Sequence, residues 1–281
     1  MQIAKIRPDI GSEATGVNLA QPLDGETKRR LYQAVVDGTV LVIRDQKLTP
    51  EQFLAAVHLF GQPMRQHFDQ YALPGQPLIN ELSNTHYDKT GNMVKHGEGW
   101  HTDHTNHEKP PKYTCLRAVH LPKIGGDTHF INMRAAYAAL PEEVRRRIDP
   151  LRTVNVFKGS ASKNSTGHTA AAMQERKGTL EAIGVIHPLV RTHPDNGTKA
   201  IYFHPSKTEN IVGMDPEATQ DMLDDLLQRA AKPEFTYVHK WRPGDIVVWD
   251  NRSVMHKASF DYEPTDLRQM FRIIIEGDRP H

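Results

Sequence analysis

The sequence has one cysteine, no long apolar run and almost no excess of charge of either sign, and each shortage removes a class of function. Cys115 alone cannot close an intramolecular disulfide or supply a thiolate zinc cluster or an iron–sulfur site. A reducing, cytoplasmic setting is therefore expected. No stretch approaches the roughly 18 apolar residues of a membrane helix, so no membrane association is expected. Met1 to Gly11 is interrupted by Lys5, Arg7 and Asp9, which does not read as an export signal. With 35 lysines and arginines against 34 aspartates and glutamates, nucleic-acid binding by bulk charge is excluded. No glycine-rich loop joins a strand to a helix, so nucleotide binding has no support.

What is present in excess is histidine. The 16 histidines outnumber the 3 tryptophans and 8 tyrosines together, and imidazole serves both as metal ligand and as near-neutral acid or base. Apolar residues at 38% suffice for a core, and 281 residues leave one large domain or two small ones open.

Along the chain, an opening strand gives way to a helix over Glu26 to Val36, and Val40 to Ile43 reads as a short buried strand. Thr49, Pro50 and Gln52 form a helix start with a capping box, and Gly61 closes that helix. From Phe68 to Gly99, prolines and glycines predict long loops around one strand near Leu78 to Leu82. Strands follow at Tyr113 to His120 and Asp127 to Asn132, then a helix from Met133 to Ile148 interrupted at Pro141. Further strands are predicted at Ala200 to Phe203, Phe235 to Trp241, Ile246 to Trp249 and Arg268 to Glu276, with a helix starting at Asp215-Pro216. Arg242-Pro243-Gly244-Asp245 reads as the turn of a hairpin. Many short strands with helices grouped early and inserted late favour a β-sandwich or barrel over a βαβ array.

The segment Trp100-His101-Thr102-Asp103-His104 carries the chemistry. Residues two apart in an extended chain share a face, so His101 and Asp103 can offer a nitrogen and an oxygen to one metal ion. His256, beyond the apolar strand Ile246 to Trp249, is the candidate third ligand. Two histidines and one carboxylate leave open coordination positions, as non-haem Fe(II) oxygenases require. Near the end of the chain, Arg268, Met270 and Arg272 share one strand face opposite Phe271, Ile273 and Ile275. Two arginines aimed into a barrel need anions opposite them, and a dicarboxylate cosubstrate with an anionic substrate would meet that need.

These residues, with Gly125-Gly126-Asp127-Thr128, the His187-Pro188-Leu189-Val190 to His193-Pro194 stretch and Trp249-Asp250-Asn251-Arg252, recur in order. In this the chain resembles the Fe(II)- and 2-oxoglutarate-dependent dioxygenases typified by taurine dioxygenase and the phenoxyacetate herbicide dioxygenase. The resemblance covers nearly the whole chain. It implies Fe(II) on His101, Asp103 and His256, with 2-oxoglutarate held at its far carboxylate by Thr128 and Arg268. It implies that Arg272 holds a substrate anion or supports the cosubstrate. It further implies oxidative decarboxylation by O2 to succinate and CO2, coupled to hydroxylation of a small acid such as a sulfonate or phenoxyalkanoate. Between His256 and Arg268 the chain has one residue more than the taurine enzymes, with Asp266 in that turn.

The expected fold is mainly β with flanking helices, a double-stranded β-helix or jelly roll. It is read as one domain over 1–281, in which 1–98 supplies helices, strands and loops and 99–281 the metal-bearing core with a long insert. His67 and Tyr71 resemble substrate-contacting positions, while Phe157 and Ser160 to Thr169 suggest a lid over the site. His204 is a further candidate at the pocket border. His104 and His107 are read as surface or loop residues, Cys115 as a buried strand residue and Asp250 with Arg252 as pins of the turn before His256. The partner is a small molecule, and a dimer or tetramer is the expected assembly. Two other readings use the same triad: a metal sensor or storage jelly roll, and a zinc-type hydrolase.

Overall fold

A computed structural model describes residues 1–66, 69–157 and 184–281. Two sheets face each other. The larger runs, strand by strand, Gln2–Lys5, Ser12–Thr15, Val40–Ile43, Ile246–Asp250, Tyr113–His120, Gln269–Ile275, Gln76–Ser83 and Ala72–Leu73, with Pro63–Met64 also on Gln269–Ile275. Every pairing in it is antiparallel except Ser12–Thr15 with Val40–Ile43. The smaller sheet is Thr236–His239, Thr128–Asn132 and Val254–Ala258. This is the jelly-roll arrangement of two packed sheets, with an insert between Thr128–Asn132 and Thr236–His239 that brings its own short strands and the helices Met133–Ala138, Glu142–Ile148 and Pro216–Ala230.

The uninterrupted apolar run Val40–Ile43 is explained by burial on both faces. Val40 and Val42 face the space between the sheets, against Leu116, Phe130, Val247, Trp249 and Met270. Leu41 and Ile43 face the other way, against Leu31, Val35, Phe53 and Val57 of the two N-terminal helices. Cys115 lies in that outer layer, fully buried. The helices start where short side chains cap them: Asp24 accepts from the Thr27 N–H at 2.6 Å, and Thr49 and Gln52 complete the reciprocal capping box ahead of Pro50–Val57.

Two sequence expectations are corrected. The opening is a pair of antiparallel strands, not one. The Arg242 to Asp245 turn does not make a hairpin: Ile246–Asp250 already pairs on both edges, with Val40–Ile43 and Tyr113–His120, so Thr236–His239 joins the free edge of Thr128–Asn132 in the other sheet. The turn is a crossover between sheets. Asp245 anchors it, accepting from the Arg242 N–H at 2.8 Å and Arg44 Nη1 at 2.7 Å, with His239 Nε2 at 3.1 Å.

Candidate metal centre

The site forms where the chain approaching from Gly97 lies beside Val254–Ala258. The His101 N–H donates to the His256 carbonyl and the Ala258 N–H donates to the Gly97 carbonyl, which sets His101 directly across from His256. Gly97 has φ +79°, and a β-carbon there would sit 3.0 Å from His101 Cε1. Only glycine lets the chain turn at that point without displacing the ring.

After His101 the chain leaves extended geometry and turns, with His104 in the left-handed region at φ 51°. Simple alternation therefore fails beyond His101, and His104 is buried rather than at the surface. Asp103 nevertheless reaches the same point as the histidines. One ligand atom from each of His101, Asp103 and His256 lies within 4.8 Å of the others. His101 Nε2 is 3.8 Å from Asp103 Oδ1, and His256 Nε2 is 3.9 Å from Asp103 Oδ2.

The donor chemistry fits a cation. His101 Nδ1 donates to the Gly99 carbonyl at 2.7 Å, an acceptor-only partner, so Nε2 keeps its lone pair toward the shared point. Burial pushes both imidazoles below their ordinary pKa. Burial alone would raise the Asp103 carboxyl, but His256 and the Arg272 guanidinium outweigh it and hold it well below the carboxylate range. Two lone pairs and a carboxylate converge with no proton donor of their own.

Asp103 is oriented by Thr114, which sequence reasoning missed, and behind it by Asn251 and Trp249, which the sequence marked only as part of a motif. Thr114 Oγ1 donates to Asp103 Oδ2 at 2.5 Å, Asn251 Nδ2 donates to Thr114 Oγ1 at 2.9 Å, and Trp249 Nε1 donates to Asn251 Oδ1 at 3.1 Å. Thr102 Oγ1 donates to the Asn251 carbonyl at 2.8 Å. The chain Trp249–Asn251–Thr114 thus fixes Oδ2 and leaves Oδ1 toward His101 Nε2, where a cation could meet it. Asp250 and Arg252 pin the turn as expected: Arg252 Nε and its backbone N–H both donate to Asp250 Oδ1 at 2.9 Å.

The cavity next to the triad is lined by Leu82, Leu116, Trp249 and Arg272 from the larger sheet, by Thr128 and Ala258 from the smaller one, and by His96, Gly97 and Arg268. Thr128 Oγ1 accepts from Trp241 Nε1 at 3.0 Å. Arg268 Nε donates to the Gly126 carbonyl at 3.1 Å. Gly126 has φ +73°, and a β-carbon would press on Arg268 at 3.0 Å, which accounts for the glycine pair ahead of Thr128. Arg272 Nε donates to Gln66 Oε1 at 2.6 Å, and Gln66 Nε2 returns a bond to the Arg272 carbonyl at 2.9 Å. Gln66 carried no sequence signal.

The other candidates divide. The His204 ring lies 5.8 Å from that of His101, and burial holds its pKa well down. Tyr71 stacks on His86 at 4.7 Å and meets His96 edge-on at 4.8 Å, so it reaches the cavity through His96. Phe157 packs under the Lys207 ammonium, 5.8 Å from the ring centroid. His67 and Ser160 to Thr169 lie outside the described residues. Lys207, overlooked in the sequence, donates to Asn106 Oδ1 at 3.1 Å. Burial lowers its pKa to about 8.

A jelly roll with a two-histidine, one-carboxylate centre beside a buried and a half-buried arginine defines a class, and similarity to known proteins gives the family. The profile of the Taurine catabolism dioxygenase TauD, TfdA family matches residues 2–274, and the chain belongs to that family of 2-oxoglutarate-dependent dioxygenases. It is 35% identical to the (S)-phenoxypropionate/alpha-ketoglutarate-dioxygenase of Sphingobium herbicidovorans, over 98% of this chain and 95% of that protein. A taurine dioxygenase structure from Burkholderia xenovorans superposes with a TM-score of 0.83 at 32% identity, covering 99% of this chain and 90% of that one. A structure of AAD-2 in complex with Mn(II) and N-oxalylglycine gives 0.82 at 31% identity, covering 100% and 99%. Among the described residues no helix is long and apolar enough to cross a membrane.

Proposed function

We propose that the chain, acting as one catalytic domain, is an Fe(II)-dependent member of this class that hydroxylates a small anionic organic acid. The observation that carries the reading is the meeting of His101, Asp103 and His256 at one point, with both arginines on the same cavity. In this reading His101, Asp103 and His256 hold iron, and the similarity to AAD-2, solved in complex with Mn(II) and N-oxalylglycine, supports a divalent metal ion in a protein of this fold. When bound, iron, 2-oxoglutarate and O2 supply the oxidising chemistry, releasing succinate and CO2 and inserting one oxygen into a C–H bond.

The chain's own residues position and exclude. Thr128 and Arg268 bind the far carboxylate of 2-oxoglutarate, Arg268 being kept in place by the Gly126 carbonyl. Trp249, Asn251 and Thr114 hold Asp103 in one orientation. Arg272, braced by Gln66, presents its remaining N–H groups to the cosubstrate or to the substrate anion. Leu82, Leu116 and Trp249 give the cavity apolar walls that limit water. His204, Phe157, Tyr71 and His67 are the proposed substrate border.

The relatives' names point to phenoxyalkanoates and sulfonates as the first compounds to try. Hydroxylation next to the ether oxygen or sulfur would make such products fragment. A cytoplasmic homo-oligomer remains the expected form. The test is succinate release from 2-oxoglutarate by the Fe(II)-loaded protein, screened over sulfonates, sulfate esters and phenoxyalkanoates. Acid-dependent succinate supports the reading, and succinate formation that no acid of the panel stimulates contradicts it.

A further inference from the structure

We propose that Lys207 and Arg272 form a two-cation clamp and that the substrate carries two negative charges. The inference rests on the dioxygenase reading above and deepens it. Its starting point is a charge count around the triad: Arg268 and Arg272 line the cavity beside it, and Lys207 is bonded to Asn106 of the turn that carries Asp103. Ferrous iron with the Asp103 carboxylate carries one positive charge, and Arg268 adds a second. Those two match the dianion of 2-oxoglutarate, so the cosubstrate half of the site is neutral when filled. Arg272 and Lys207 are left over.

Among the described residues, neither leftover cation has an anionic hydrogen-bond partner. Arg272 donates its Nε to the neutral Gln66, and among the described residues the Asp103 carboxylate is the negative charge that acts on it. Lys207 donates to the neutral Asn106 and lies over the Phe157 ring, and among the described residues Asp103 attracts its charge and Arg272 repels it. Asn106 belongs to the buried turn Thr102 to Asn106 that carries Asp103, so the hydrogen bond ties the ammonium to the metal-bearing segment. Lys207 also follows His204, whose ring sits 5.8 Å from His101. Two partly desolvated cations, each held by a neutral group and repelling one another, are a costly arrangement unless a ligand supplies the charge. A substrate with one anionic group would satisfy Arg272 and leave Lys207 unmatched. One bearing an ammonium would be repelled by both.

Three two-carbon acids isolate the charge from the shape: ethanesulfonate with one negative charge, taurine with the same sulfonate and an ammonium, and sulfoacetate with a second anionic group. Each is titrated calorimetrically, without oxygen, into protein loaded with Fe(II) and saturating 2-oxoglutarate. Wild type, Lys207→Met and Lys207→Arg are compared, and the visible band of the iron-bound keto acid is followed in parallel. Sulfoacetate is expected to bind about ten-fold or more tighter than ethanesulfonate, with taurine weakest. Lys207→Met should erase that preference, Lys207→Arg should keep it, and neither should alter 2-oxoglutarate affinity. Equal binding of the two acids by wild type overturns the clamp, as does a preference that survives in Lys207→Met or failure of all three to bind at millimolar concentration. A wild type that shows no band contradicts the dioxygenase reading itself, whereas a normal band with no charge preference contradicts the clamp alone.

Discussion

His101 and His256 are joined through their backbones before any metal joins their side chains: each donates its N–H to the other's carbonyl, at 3.0 and 2.8 Å. Residues paired in this way project to the same face, and the two rings stand with centroids 4.1 Å apart. The separation of the two candidate nitrogen ligands is therefore set by sheet hydrogen bonding, and Asp103 is placed by the turn that follows.

Gly97→Ala should disturb that pairing. The substitution strains a backbone at φ +79° and sets a methyl against His101 Cε1, at a cost of roughly 1–2 kcal/mol. A lower melting temperature together with weaker Fe(II) binding, measured by anaerobic titration, is the expected outcome. Unchanged metal affinity would mean that the ring position does not depend on this contact.

Thr114→Val keeps the shape but removes the hydroxyl that links Asn251 to Asp103. Metal affinity should fall about 10–100-fold with the fold retained, read by far-ultraviolet circular dichroism beside the metal titration.

Arg268→Ala separates cosubstrate from metal. The dissociation constant for 2-oxoglutarate should rise about 10–100-fold, as expected for loss of a charged hydrogen bond, while Fe(II) binding stays near wild type. The opposite pattern would assign Arg268 to the metal.

Asp250→Asn tests the support beneath His256. Asp250 is fully buried, bonded to Arg252 and within 2.8 Å of His193 Nε2, and removing its charge leaves a buried guanidinium without its main partner, at about 3–5 kcal/mol. Burial opposes ionisation of both Asp250 and Asp245; Arg252 reverses this at Asp250, His239 and the Arg242 N–H at Asp245, and both carboxyls end below the ordinary range. Their stabilisation is thus complete above the unfolded carboxylate pKa of about 3.9. It is lost as pH falls below that value, because the unfolded chain then takes up protons that the folded chain resists. Chemical denaturation between pH 3 and 7 should show stability falling at the acid end in wild type, with a shallower fall in Asp250→Asn.

Much of this was legible in the sequence where local pattern and burial agree. Val40–Ile43 and Tyr113–His120 read as strands because apolar runs bounded by turns have few alternatives, and Thr49-Pro50 with Gln52 marks a helix start by its own hydrogen bonds. The juxtaposition of His101, Asp103 and His256 was readable from ordered motifs. The crossover at Arg242 to Asp245 was not, because turn chemistry says that the chain reverses and not which sheet edge is free to receive it. Nor was the turn at His104, since an extended reading past His101 assumes the backbone angles it needs. Thr114, Gln66 and Lys207 gave no signal at all: Thr114 meets Asn251 across 137 positions of sequence, and Gln66 meets Arg272 across 206.

The central claim is tested most directly by anaerobic Fe(II) titration with and without 2-oxoglutarate, in wild type and in His101→Ala. The account predicts a weak visible charge-transfer band that appears only when iron and 2-oxoglutarate are both present and that the substitution removes. Iron binding with no band, or a band unchanged in His101→Ala, would contradict it.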